Sequence, residues 1–129
     1  MNVKQFFLDH QHDNNEEWFT ALQKNNIEDY NDYLIFNLNH QLDAPFLFSC
    51  QFLSSRTTLN EAQALHYIND GCLIAQTIDG HYLLAIKDTT IIIPVDLHVT
   101  DIEFFSLPIA QFMVLLINKK IQSNYINIQ

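Results

Sequence analysis

The chain has 129 residues, with 6 Lys or Arg against 15 Asp or Glu, which leaves a formal net charge of −9 and a pI near 4.8. That balance excludes nucleic acid as a partner, because displacing counterions from phosphates takes clustered cations; here Lys119-Lys120 is the only basic pair, and Lys4, Lys24, Arg56 and Lys87 stand alone. It disfavours anionic membrane surfaces for the same reason. With 48% hydrophobic and 16% charged residues the expectation is one domain, residues 1–129, around a core of its own.

Asn14-Asn15 followed by Glu16-Glu17 and closed by Lys24 predicts a short helix, with cap residues and acids at its start and a cation at its end. From Ile27 through Tyr30, Leu34, Leu38 and Leu42 the apolar spacing of three or four predicts a second helix, although Tyr33-Leu34-Ile35-Phe36 fits a strand as well. Pro45 closes that segment. The aromatic run Phe46-Leu47-Phe48-Ser49-Cys50-Gln51-Phe52-Leu53 reads as a buried strand. Ser55 or Thr57 then caps a helix through Leu59, Ala62, Leu65 and Ile68 that Asn69-Asp70-Gly71 ends.

Past Gly71, β-branched and aromatic residues come in short runs between turn signals, which predicts an antiparallel meander. Residues 72–78 and 81–86 flank Asp79-Gly80, the strongest hairpin signal of the chain and suited to a type I′ turn. Residues 87–90 turn into Ile91-Ile92-Ile93-Pro94-Val95, whose proline points to an edge or a bulge, and residues 101–105 form a fourth strand. Ser106 or Leu107 caps a closing helix with Pro108 in its first turn and Ile109, Phe112, Met113, Leu116 and Ile117 on one apolar face. The fold class expected is α+β: a meander of about four to five strands packed against N-terminal helices and a closing C-terminal helix.

Candidate chemistry is sparse. Cys50 and Cys72 are 22 residues apart without a CxxC, which supports neither a disulfide framework nor a zinc site of the usual spacing. Each sits in an apolar run, where a thiol behaves as a small hydrophobe. Asp9-His10-Gln11-His12-Asp13 and the group Asp96, His98 and Asp101 have metal-competent side chains, yet both read as solvated turns. Two glycines cannot build a phosphate-cradling loop, and the carboxylates are too dispersed to single out a catalytic pair. No catalytic residue, cofactor or metal is expected. The apolar run Phe6-Phe7-Leu8 is too short for the core of a signal peptide or a membrane span, so the cytoplasm is the expected compartment.

Residues 70–117 resemble a known family. Asp70-Gly71 leads into a strand, the Asp79-Gly80 hairpin, His81-Tyr82-Leu83-Leu84-Ala85-Ile86, a turn, Ile91-Ile92-Ile93-Pro94-Val95 and Ile102-Glu103-Phe104-Phe105-Ser106-Leu107, and then a helix from Ile109 through Phe112 to Leu115-Leu116. This succession is similar to the SUKH superfamily, the group related to the yeast cell-wall assembly regulator and rich in bacterial immunity proteins. The resemblance implies helices on one face of an antiparallel sheet, no catalysis, and neutralisation of a cognate toxin by direct binding.

Charge is compatible with that implication, since an acidic protein is steered quickly onto the basic groove of a nuclease toxin. The best-placed carboxylates are those on loops and strand ends of the meander: Asp79, Asp88, Asp96, Asp101 and Glu103. Glu16 and Glu17 are better read as partners of a helix dipole. Two other classes fit a small acidic α/β chain. A secretion-type chaperone predicts an obligate dimer with open apolar grooves, whereas an immunity protein is expected as a monomer or weak dimer. A small enzyme predicts a cleft with convergent titratable groups.

Overall fold

The first helical reading holds closely. In the computed structural model, which describes residues 2–128, α1 (Val3–Asp9) precedes α2 (Asn15–Lys24), whose N-cap Asn14 forms a reciprocal capping box with Glu17. The next segment departs from expectation: residues 27–42 hold β1 (Asp29–Tyr30), β2 (Leu34–Phe36) and a 3₁₀ turn over Leu38–His40. Asn26 and Asn31 adopt positive φ and punctuate the chain into turns, and Leu34, Ile35 and Phe36 alternate buried, exposed, buried, the two-residue period of a strand. The apolar spacing of three and four was produced by a hairpin with a three-residue loop, not by helical turns.

The aromatic run is likewise not a strand but α3 (Asp43–Phe52). Asp43 and Pro45 lie in its first turn, where an acid suits the dipole and a missing N–H costs nothing. Phe46 and Cys50, one turn apart, are buried, whereas Phe48 and Phe52 form a second pair one turn apart on the exposed side. Helix α4 (Glu61–Asp70) starts later than expected, with Asn60, not Ser55 or Thr57, as its N-cap in a second capping box with Gln63.

Strands β3 (Cys72–Thr77), β4 (Tyr82–Ile86), β5 (Thr89–Ile93) and β6 (Glu103–Phe105) complete one antiparallel sheet of order β1-β2-β3-β4-β5-β6. It therefore has six strands, because β1 and β2 extend the meander beyond the four read from the C-terminal half. Pro94 stands just past β5, an interior strand between β4 and β6, where no ladder hydrogen bond is lost. Thr89 and Thr90 already belong to β5, so the turn before it is only Lys87-Asp88, with Lys87 at φ 52°. Helix α5 (Ile109–Ile117) closes the described elements, and its N-cap is Pro108 rather than Ser106 or Leu107.

Helices cover both faces of the sheet, not one as the family resemblance implies. Leu83 and Ile92 point into a core shared with Trp18, Leu22, Phe112 and Leu116 of α2 and α5. Their strand neighbours Tyr82, Leu84, Ile91 and Ile93 point into a second core with Phe46, Cys50 and Ala64 of α3 and α4. Strand alternation thus divides one apolar meander between two helical layers.

A β-bulge between Leu73 and Ala75 puts both Ile74 and Ala75 into the first core while Leu73 serves the second. Asn37, fully buried after β2, holds this irregularity. Its backbone N–H donates to the Ile74 carbonyl at 2.8 Å, and its side-chain amide donates to the Leu73 carbonyl at 2.7 Å and to Asp43 at 2.8 Å. Its Oδ1 accepts the Leu42 N–H at 2.6 Å. An asparagine with all these groups satisfied is what permits a polar side chain at the junction of the two cores.

Candidate functional site

Four of the five carboxylates proposed from sequence lie at the end of the sheet that carries the β3–β4 turn. This turn is not type I′: Gly80 alone adopts positive φ (96°), Gly80 N–H donates to the Thr77 carbonyl at 3.0 Å, and His81 N–H donates to Thr77 Oγ1 at 2.9 Å. A β-carbon on Gly80 would lie 2.9 Å from Val95 Cγ2, so the turn is pressed onto the segment after β5. His81 Nδ1 accepts the Val95 N–H at 2.9 Å, which ties the two together and requires the proton of the neutral imidazole to be on Nε2.

The segment that carries Asp96 and Asp101 is fixed from its other side too. Leu97, fully buried at φ 64°, offers its carbonyl to Leu59 N–H at 2.8 Å, and Val99 N–H donates to the Thr57 carbonyl at 2.9 Å. A left-handed conformation at a leucine is strained, and burial of its side chain in the second core holds it there. Asp96 accepts the His98 N–H at 3.1 Å yet remains exposed, as do Asp79 and Asp101.

Tyr125 is the hub of this end, and sequence reasoning missed it because it lies beyond the last recognisable element. Its hydroxyl donates to the Asp101 carbonyl at 3.0 Å, and its ring lies 4.8 Å from that of His81. Burial raises the phenol above its ordinary pKa, and the fields of Asp101, Glu103 and Asp96 raise it further. These three carboxylates therefore converge electrostatically on one point.

Glu103 differs from the others. It is half-buried, and its two oxygens accept hydrogen bonds from the Ser123 hydroxyl and from the Asn124 N–H at 2.8 Å. It anchors the C-terminal segment against β6. Asp88 is in the β4–β5 turn at the opposite end, a five-residue strand away, or about 17 Å at the usual rise. The structure brings Asp96, Asp101 and Glu103 together, places Asp79 in the adjoining turn, and leaves Asp88 apart.

Apolar side chains accompany the acids. Ile78 is 67% exposed beside Asp79, and Val95, 45% exposed, neighbours Asp96. Elsewhere, burial pushes the Cys50 thiol up to about 11 and the Cys72 thiol up to about 12, with Glu61 and Asp43 adding to the respective shifts. Both are free cysteines held as neutral thiols, a poor starting point for nucleophilic attack. His10 pairs with Asp13 at 2.7 Å, and among the described residues no three His, Cys, Asp or Glu side chains are grouped to hold a metal ion. Among those residues no helix is long and apolar enough to cross a membrane. Comparison with protein-family models, with curated proteins and with solved structures finds no match.

Proposed function

We propose that the chain is a SUKH-type immunity protein, without enzymatic activity, that neutralises a cognate basic protein toxin by direct binding in the cytoplasm. The observation that carries this reading is the end of the sheet where Asp79, Asp96 and Asp101 stand exposed on tethered loops beside Ile78 and Val95. Preorganised carboxylates bind cations without first losing conformational freedom, and neighbouring apolar side chains supply the area that charges alone do not. A net charge of −9 adds long-range steering toward a basic surface. Glu103 contributes to the field and holds the C-terminal segment, whereas Asp88 stands at the opposite end of the sheet and is not part of this group.

The test is genetic and direct. Toxin domains found in the reading frames neighbouring this one are expressed with and without the chain, and with the triple variant D79K/D96K/D101K. Rescue of growth by the native chain and its loss in the folded triple variant is the expected result; failure of the native chain to rescue rejects the immunity reading.

A secretion-type chaperone is the second reading, favoured by Phe48 and Phe52, 64% and 76% exposed with rings stacked 6.1 Å apart on α3. It requires a stable dimer with open apolar grooves. Sedimentation equilibrium separates the two: a monomer or weak dimer fits immunity, and a tight dimer fits the chaperone.

A further inference from the structure

Helix α3 meets the rest of the chain with one side only. Phe46 and Cys50 are buried in the second core, while Ala44, Phe48, Gln51 and Phe52 are exposed. Spacings of three and four set these exposed residues on one helical face, opposite the buried pair. Phe48 and Phe52 are 64% and 76% exposed, and their rings stack at 6.1 Å with 18° between the planes. Two large aromatic side chains side by side in water, on a helix whose other side is fully packed, mark a face that gains by being covered.

Charge decides what can cover it. Residues 44–55 contain no Asp, Glu, Lys, Arg or His. Asp43, at the head of the helix, has its carboxylate taken up by the Asn37 amide at 2.8 Å and by His40 at 3.3 Å. A basic partner gains nothing from a face without carboxylates. Two copies of this chain, each with a net charge of −9, repel one another over most approaches; meeting through the exposed stripe of α3, they set no carboxylate of that stripe against another. Area decides how tightly. Fully covered aromatic side chains bury about 150–250 Å² each, so the two rings at their observed exposure offer roughly 200–350 Å² per copy. With Ala44, Gln51 and the exposed Pro45 and Leu53 around them, two such faces bury on the order of 1,000 Å², the low end for a specific interface and less than a permanent dimer needs.

We propose that the outer face of α3 binds a second copy of this chain in a weak, reversible homodimer. The two helices cross antiparallel about a two-fold axis, so that Phe48 of one protomer lies against Phe52 of its partner and the reverse contact repeats it. Gln51, between the two rings in sequence, supplies a neutral polar group at the axis. Such a dimer covers the surface that the chaperone reading leaves open. The proposal does not rest on the toxin reading.

Sedimentation equilibrium from micromolar to millimolar loading tests it, with the native chain and with variants whose fold is checked by circular dichroism. The expected result is a reversible monomer–dimer equilibrium whose dissociation constant rises at least tenfold in F48S/F52S and is unchanged in F104S, which removes another phenylalanine, 60% exposed on β6. Raising the ionic strength from about 0.01 M to about 0.15 M shortens the Debye length from about 30 Å to about 8 Å. The dimer should therefore tighten with salt, the reverse of the response expected for toxin binding. A monomer at every loading would leave the face to a different partner and overturn the proposal. Equal weakening in F104S, or a dimer that F48S/F52S leaves intact, would overturn it as well, and so would a dimer that persists at nanomolar loading, which fits the chaperone reading instead.

Discussion

Asn15 and Ile109 are 94 residues apart, yet Asn15 Oδ1 accepts the Ile109 N–H at 3.0 Å. Helix α5 follows Pro108, which offers no side-chain cap, so the amide that would otherwise be orphaned at its first turn is satisfied from α2. The same asparagine donates to the Lys87 carbonyl in the β4–β5 turn. One side chain thus links two helices and a hairpin.

Asn15→Ala removes both bonds and is expected to cost about 1–2 kcal/mol of stability, the range for a lost cap. Asn15→Asp keeps the acceptor for Ile109 and loses the donor to Lys87, so it should retain α5 protection in hydrogen exchange while loosening the hairpin. Chemical denaturation and amide exchange together check this. Loss of less than about 0.5 kcal/mol in Asn15→Ala would show that the bridge does not stabilise the fold.

Phe112 is fully buried in the core that Leu83 and Ile92 share with α5. Phe112→Ala should cost about 3–5 kcal/mol, the loss of transfer energy plus the cavity left behind. A cost below about 1 kcal/mol in urea unfolding would mean that the closing helix does not pack on the sheet.

The C-terminal half was legible because its signals are local. The short apolar runs at residues 82–86 and 89–93, the Asp79-Gly80 turn and the apolar face from Ile109 to Leu116 each depend on neighbours in sequence. Residues 27–53 misled because their burial is decided at a distance. Tyr30 and Leu34 are spaced like a helix face but pair across a hairpin. Phe46, Phe48, Cys50 and Phe52 look uniformly apolar, although only Phe46 and Cys50 meet the second core. The acidic end was half legible. Loop carboxylates are visible in sequence, but their convergence on Tyr125 depends on a terminal segment that Glu103 folds back, and no local pattern encodes that return.

The two thiols give the fold an alkaline limit. Burial first, then Glu61 for Cys50 and Asp43 for Cys72, raise their pKa values from 9.0 to about 11 and about 12. The folded state therefore holds these protons more tightly than the unfolded chain does. That contribution to stability is complete below pH 9 and drains away as pH rises toward 12. Cys72→Ala cannot lose it, so native stability should fall relative to that variant across this window. Parallel loss in the two proteins would show that Cys72 ionises as it does in the unfolded chain.

The most direct test of the central claim is the association rate of the chain with a basic toxin domain that it protects against in the growth assay, measured by stopped flow as a function of ionic strength. The acidic end of the sheet predicts fast association that slows with added salt, and a D79K/D96K/D101K variant that associates at least tenfold more slowly at low salt and approaches the native rate at high salt, because rim charges act through the encounter rate and salt screens them. Native and variant rates that agree at every salt concentration would contradict the claim and move the interface away from these carboxylates.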